Sequence, residues 1–200
     1  ASVMVSGNSM SHIYIRKDKD WSKSFTFKDS ENLIEKLLTY EAIDIVMTRN
    51  EKNQIVVMSK NGIALLEDKE TGVFYTPLLN DPFGYEGIKD FLSYEEILEQ
   101  TFDTAYPDAL TQIVQIFKSV RSGDIILSAQ TGFDLRSNFE FPEHKSSHGS
   151  LKSDHMTVPL IFNKKVKESK IRTVDLFPTI LDFLDLECPN KIDGHKLDIN

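Results

Sequence analysis

Two short apolar runs in the second half of the chain constrain its fold more than any other feature. Residues 124–129 (DIILSA) and 158–162 (VPLIF) show little alternation between apolar and polar side chains. Such runs are typical of strands that are covered on both faces. A helical pattern precedes the first run and another follows the second, so we predict α/β layers in which helices pack on a sheet.

Periodicity predicts four helices. Ser30 is a suitable N-cap for a helix that ends near Leu38. A short helix should span residues 94–101, and a longer one should begin near Pro107 on an apolar stripe. The last should span residues 173–186. Its inward face would comprise Leu176, Phe177, Ile180, Leu181, Phe183 and Leu184.

Strand signals are concentrated in the first half of the chain. Two of them, at residues 3–5 and 13–15, are separated by the turn-prone sequence SGNS. Residues 43–79 contain four more, joined by short polar turns. This stretch predicts a small strand-rich patch in which neighbours along the chain pair as a meander.

The charge balance limits the classes of partner. The 200 residues include 31 Asp and Glu against 23 Lys and Arg, a formal net charge of −8. A general nucleic-acid-binding protein would carry a basic face instead. No apolar run approaches the ~20 residues of a membrane-spanning helix, so we predict no membrane span. Cys188 is the single cysteine, which excludes an internal disulfide.

The polar segment between the two apolar runs is where chemistry is expected, because α/β proteins place their sites in loops outside strand ends. It contains His144, His148, Asp154 and His155, whose imidazole and carboxylate groups suit zinc, manganese or iron. A polar surface loop is the alternative interpretation. Elsewhere, Asp175 fits the first turn of a helix better than a metal site. The chain has no HExxH, CxxC, GxSxG or P-loop motif.

Several short motifs follow one another towards the end of the chain. They are His148-Gly149, Val158-Pro159-Leu160-Ile161, Thr173-Val174-Asp175, Pro178-Thr179-Ile180-Leu181 and Asp193-Gly194. In this order they resemble the C-terminal end of the alkaline phosphatase superfamily, most closely its type I phosphodiesterase and nucleotide pyrophosphatase branch. The likeness covers residues 104–197, about half of the chain, and it is fainter over residues 1–103.

The resemblance implies a fold and a site. The fold would be part of a mostly parallel sheet flanked by helices, with a small strand-rich subregion near residues 43–79. Residues 1–103 would be a strand-rich inserted segment of the phosphatase-like domain, and residues 104–200 its C-terminal α/β segment. The family uses two divalent metals, usually zinc, and a Thr or Ser nucleophile that attacks phosphorus. His148 matches the last metal-ligating histidine of the family, whereas Asp175 and Asp193 match structural positions.

The chain also departs from the family pattern. It has no Asp-His-Gly motif and no second His-Gly pair, and the family's nucleophile and other ligands precede the segment matched here. We therefore expect the C-terminal portion of a metal-dependent hydrolase of small phosphoesters, inactive as this isolated chain, with its catalytic residues unidentified. Such a portion would expose apolar surface and could self-associate. The alternative is a stand-alone, non-enzymatic binding or scaffolding domain.

Overall fold

The computed structural model describes residues 1–23, 25–136 and 146–199, and it divides the chain into two compact units, Ala1–Thr157 and Val158–Asn200. The described part of the first unit contains one eight-stranded sheet. Its strands are β1 (Ser2–Ser6), β2 (Met10–Tyr14), β3 (Ile43–Arg49), β4 (Ile55–Met58), β5 (Ile63–Lys69), β6 (Gly72–Leu79), β7 (Phe91–Ser93) and β8 (Ile125–Ala129). The helices are α1 (Phe27–Leu38), α2 (Tyr94–Thr101), α3 (Ala109–Lys118), α4 (Ser153–Met156) and α5 (Leu176–Phe183).

The sheet is antiparallel. Its order is β1-β2-β8-β3-β4-β5-β6-β7, and every strand pairing among the described residues is antiparallel. The expected mostly parallel, alkaline-phosphatase-like sheet is therefore wrong. β8 is inserted between β2 and β3 and runs antiparallel to both. From β3 to β7 the strands are sequential neighbours, so the predicted meander over residues 43–79 is confirmed.

The apolar run of β8 exists because helices cover both faces of the sheet. All residues of β8 are buried. On one face, Ile125 belongs to the same apolar cluster as Ile34 of α1. On the other face, Ile126 belongs to the same cluster as Ile113 of α3. A central antiparallel strand with two covered faces thus has the composition that is usual for a parallel strand.

Local signals set the helix starts. At α2, Glu96 N donates to Ser93 Oγ at 3.1 Å and Ser93 N donates to the Glu96 carboxylate at 3.0 Å, a capping box that starts the helix as predicted. The predicted N-cap of α1 is wrong. Ser30 lies inside α1 and donates to the Thr26 carbonyl at 2.9 Å, and Thr26 is the N-cap. No helix in the described ranges is long and apolar enough to cross a membrane, as predicted.

The second unit is organised around Asp175, at the end of a 3₁₀ turn (Thr173–Asp175) that leads into α5. The buried Asp175 carboxylate accepts from Arg172 N at 2.9 Å and from His195 N at 3.0 Å. Thr179 Oγ1 accepts from the backbone N of the buried Leu197 at 3.0 Å. These bonds fold the end of the chain onto the Thr179 face of α5.

Two predictions for the second unit are wrong. Residues 158–162 form no strand and are mostly exposed. α5 is shorter than predicted, and it buries Pro178 and Thr179 rather than its apolar stripe. The exposed residues of the predicted inward face are Phe177, Ile180, Phe183 and Leu184.

Candidate functional site

The His-Gly pair lies in a segment, residues 146–157, that we call the HG loop. The loop contacts the turn between β1 and β2. His148 N donates to the Gly7 carbonyl at 3.3 Å, and Ser9 N donates to the His148 carbonyl at 3.1 Å. These bonds form a short parallel bridge between Asn8 and His148. The backbone of His148 is therefore fixed, while the residue remains exposed to solvent.

Two glycines with positive φ make this contact close. Gly7 has a φ of 62°, and a Cβ there would lie 2.7 Å from His148 Nδ1. Gly149 has a φ of 101°, and a Cβ there would lie 3.0 Å from the Ser6 carbonyl oxygen. Positive φ disfavours any side chain, and here the space for one is also taken. Glycine is thus required on both sides of the contact. This requirement explains, in structural terms, why glycine follows His148.

A carboxylate is linked to the HG loop next to His148. Ser9 Oγ and Ser147 Oγ lie 2.7 Å apart, and Ser147 Oγ donates to Asp134 Oδ1 at 2.6 Å. Ser147 directly precedes His148 in the chain. The exposed carboxylate of Asp134 is therefore bound to the residue next to His148. The sequence prediction did not include Asp134, because no motif marks it.

A second polar contact holds the HG loop to the sheet. Lys152 Nζ lies 3.3 Å from Asp44 Oδ2 and donates to the Tyr106 hydroxyl at 2.8 Å. Tyr106 donates to the Asp44 carboxylate at 2.9 Å, and Gln130 Nε2 donates to it at 2.8 Å. We call these four residues the Asp44 cluster. The side chain of Asp44 is 5% exposed and that of Lys152 is 18% exposed, so the ion pair is largely removed from water.

Asp44 is directed into this cluster by a β-bulge. Ile43 pairs with Ala129 and Ile45 with Ser128, so Asp44 is the extra residue on β3. Burial raises the pKa of the Asp44 carboxyl, and the Lys152 ammonium opposes that shift. The sequence does contain a signal for this site, because Asp44 is a charged residue inside an apolar strand, but the prediction did not use it.

Burial, followed by the charge of Asp44, raises the pKa of Tyr106. The phenol therefore stays protonated at neutral pH and can act as a hydrogen-bond donor to the carboxylate. The Lys152 ammonium also lies 4.3 Å from the centre of the Tyr106 ring, within the range of a cation–π interaction. Tyr106 thus contacts both charged members of the Asp44 cluster.

Further bonds fix the HG loop on either side of Lys152. Leu151 N donates to Ser128 Oγ on β8 at 3.0 Å, and Ser153 N donates to the Ala105 carbonyl at 2.9 Å. Leu151 is 3% exposed and belongs to the apolar cluster that covers the α3 side of the sheet. The loop is thus attached to the first unit by backbone, side-chain and apolar contacts.

The structure brings few of the predicted ligands together. Asp154 and His155 lie on α4, and His155 Nδ1 accepts a hydrogen bond from Ser150 N at 3.4 Å. His144 lies outside the described residues. Within the described ranges, no group of three or more His, Cys, Asp or Glu is arranged to hold a metal ion. The described residues therefore do not fit a complete two-metal site, and the exposed His148 would offer a metal ion one ligand.

The aspartates of the two closing motifs lie in the second unit. The Asp175 carboxylate accepts hydrogen bonds from two backbone N–H groups, and its Oδ1 lies 3.1 Å from His195 Nδ1. Asp193 is exposed. A Cβ at Gly194 would lie 2.2 Å from the Val174 carbonyl oxygen, so this turn requires glycine. The contacts of both motifs hold the end of the chain against the start of α5.

Comparison of the chain with known protein families, with curated proteins and with solved structures finds no match. The features that bear on function are therefore the exposed His148 with its fixed backbone, the Asp44 cluster that holds its loop, and the order of the motifs.

Proposed function

We propose that this chain contributes one metal ligand, His148, to a metal-dependent phosphoester hydrolase of the phosphodiesterase, nucleotide pyrophosphatase or phosphatase type. The observation that carries the proposal is the attachment of the His148 backbone to Gly7 and Ser9, which leaves the residue exposed. A ligand whose backbone is fixed before the metal arrives loses less entropy on binding than one on a loose loop. Neutral imidazole is also a common zinc ligand.

The motifs support the phosphoester class. His148-Gly149 is followed by the TVD, PTIL and DG motifs in the order expected for that class of hydrolase. Because the sheet is antiparallel, support for this activity comes from the motifs and from the HG loop, and none comes from the architecture.

The described residues would supply one of the three ligands that a catalytic zinc ion normally takes from a protein. The other ligands and the nucleophile would have to come from elsewhere, so we assign no catalytic step to the residues named here. The proposed substrate is a small phosphoester, and we assign no particular leaving group to it.

The reading frame upstream of Ala1 provides the first test. A frame that encodes an aspartate, a Thr or Ser nucleophile region and an Asp-His-Gly motif would support the hydrolase. A start codon immediately before Ala1 would refute it and favour the alternative, a stand-alone binding or scaffolding domain.

Replacement of His148 provides the second test. In the protein expressed from its whole reading frame, with zinc or manganese, His148→Ala should lower kcat/KM for a bis-aryl phosphate by more than ~100-fold. Loss of an outer-shell partner typically costs about 10- to 100-fold. The matched control is His155→Ala in the same loop, which should leave kcat/KM nearly unchanged. Equal effects of the two substitutions would contradict the assignment of His148.

The isolated chain should behave differently from that whole protein. Residues 1–200 should bind zinc weakly in titration calorimetry and hydrolyse the bis-aryl phosphate at the background rate. A submicromolar, stoichiometric zinc site that is lost in His148→Ala would show that the chain supplies more ligands than His148. Clear turnover by the isolated chain would show that it also contains a nucleophile.

A further inference from the structure

β1 lies at one edge of the sheet and exposes apolar side chains on both of its faces. All of its residues are exposed, with Val3 and Met4 at 60% and Val5 at 38%. β1 pairs with β2 on one side, and no described residue pairs with it on the other side. The strand has no charged residue and no proline, which are devices that normally prevent an exposed edge from pairing with another strand.

The free side of β1 presents the backbone groups of Val3 and Val5. The Met4 carbonyl accepts a hydrogen bond from Ser11 Oγ on β2 at 3.4 Å, so the Met4 peptide groups point towards β2. In antiparallel strands, consecutive residues direct their N–H and C=O groups to opposite sides. Val3 and Val5 therefore each offer one donor and one acceptor to a further strand.

The sequence of β1 is a palindrome, Ser2-Val3-Met4-Val5-Ser6. When two copies of this strand pair antiparallel with Met4 opposite Met4, Val3 lies opposite Val5 and Ser2 lies opposite Ser6. The contacts are then reciprocal across a two-fold axis, as an isologous interface requires, and each residue also meets one of its own kind, so that Val faces Val and Ser faces Ser. This symmetry indicates a second copy of the chain as the occupant of the edge.

We propose that β1 pairs with β1 of a second copy of this chain, in the antiparallel register that places Met4 on the two-fold axis. Each Val3–Val5 pair exchanges both of its backbone hydrogen bonds. Val3 lies opposite Ile13 of β2, and Ile13 belongs to the apolar cluster beneath α1. The valines of the two copies therefore extend this cluster across the axis, and the two Met4 side chains meet on the other face.

Charge substitutions at Met4 test both the partner and the register. The wild-type mass in sedimentation equilibrium should rise from 22.9 kDa towards twice that value with concentration. Met4→Lys and Met4→Glu should each weaken dimerisation by at least ~10-fold, because like charges meet on the axis. An equimolar mixture of the two variants should dimerise again, because Lys then lies opposite Glu. The control Val120→Lys, at a fully exposed position outside the sheet, should dimerise like wild type.

Four results would overturn the proposal. The first is a wild-type mass that stays at 22.9 kDa at every concentration. The second is dimerisation of the Met4 variants alone at wild-type strength, which would place the interface elsewhere. The third is a mixture that does not recover, which would exclude this register. A monomer whose Val3 and Val5 amides are protected from hydrogen exchange would also refute it, because another segment would then cover the edge.

The proposed pairing goes beyond the proposed function and is independent of it. It uses the free side of β1, whereas the hydrolase proposal concerns the imidazole of His148. Met4 substitutions that abolish dimerisation should therefore leave zinc binding by the isolated chain unchanged.

Discussion

Lys152→Met should destabilise the first unit, and the size of the loss should depend on pH. The substitution keeps an aliphatic side chain of similar length and removes the ammonium group that lies 3.3 Å from Asp44 Oδ2. The Asp44 carboxylate is then left without its cation in a buried site, where 5% of its side chain is exposed. Among the described residues, Tyr106 and Gln130 still donate hydrogen bonds to its carboxylate.

The magnitude follows from the position of the charges. At 3.3 Å and an effective dielectric constant of ~20, two unit charges attract by about 5 kcal/mol. In the intact pair, the loss of hydration of both groups offsets much of this attraction. In the variant, Asp44 still loses its hydration on folding but no longer gains the attraction to Lys152. Breaking a buried ion pair in this way typically costs about 3–5 kcal/mol. Because two donors remain and the Lys152 side chain is 18% exposed, we expect about 3 kcal/mol at pH 7.

The pH dependence has a defined sign. The pKa of Asp44 is raised in the folded protein above its ordinary value of 3.8. For such an acid, the contribution to stability is complete below the ordinary pKa and is lost as the pH rises through the folded pKa. Removal of Lys152 raises the folded pKa of Asp44 further, because the ammonium favours the charged carboxylate. The penalty should therefore be largest at pH 7 and should shrink towards pH 4, where Asp44 takes up a proton.

Urea unfolding followed by far-ultraviolet circular dichroism at both pH values measures this penalty. Lys118→Met is the matched control, because Lys118 also pairs with an aspartate, Asp68 at 3.2 Å, and lies above a tyrosine ring, Tyr94. The Lys118 side chain is half exposed, so its loss should cost less than about 1 kcal/mol. Equal losses for the two variants at pH 7, or a Lys152→Met penalty that is the same at both pH values, would refute the reasoning.

Glycine substitutions give two further predictions. Gly7→Ala should destabilise the first unit more than Gly84→Ala, since both glycines have positive φ but only at residue 7 would a Cβ meet His148, at 2.7 Å from Nδ1. The backbone conformation alone should cost about 1–2 kcal/mol at either position, and equal losses in urea unfolding would exclude a role for the contact. Gly194→Ala should loosen α5, because its Cβ would lie 2.2 Å from the Val174 carbonyl oxygen. Amide exchange in α5 should accelerate by at least ~10-fold, and unchanged exchange would contradict this account.

Local elements of the fold could be predicted from the sequence, but the direction of the strands could not. The strands of the meander and the helix α2, which a capping box starts, depend on residues close together in the chain, and they lie near their predicted positions. β8 has the same burial whether its neighbours run parallel or antiparallel to it. Its partners β2 and β3 lie about 80 to 115 residues earlier in the sequence, so no local pattern records their direction.

The second unit shows a different limit of the sequence pattern. The apolar stripe of α5 predicts an inward face, yet the helix buries Pro178 and Thr179. The reason is polar, because Asp175 and Thr179 accept backbone N–H groups from His195 and Leu197 and thereby hold the end of the chain on that side. Hydrophobic periodicity does not include these bonds, so it selected the wrong face.

The candidate site combines a residue found by motif with a cluster that no motif contains. His148 could be named from the sequence, while the Asp44 cluster depends on a β-bulge whose position is set by pairing with a strand about 85 residues away. The antiparallel topology is what brings the two together. Because β8 is antiparallel to both β2 and β3, its last residues lie beside the starts of both strands, with Ser128 opposite Met10 and Ala129 opposite Ile43.

The β1–β2 turn that holds His148 and the bulge that carries Asp44 therefore lie at the same end of the sheet, on either side of β8. The HG loop crosses this end, with His148 bound to Gly7 and Ser9 and with Lys152 bound to Asp44. Between them, Leu151 N donates to Ser128 Oγ on β8 itself. A β8 parallel to β2 and β3 would have its last residues at the opposite end of the sheet. It could then not support the contacts of both His148 and Lys152. The topology that contradicts the predicted fold is thus the one that fixes the predicted ligand.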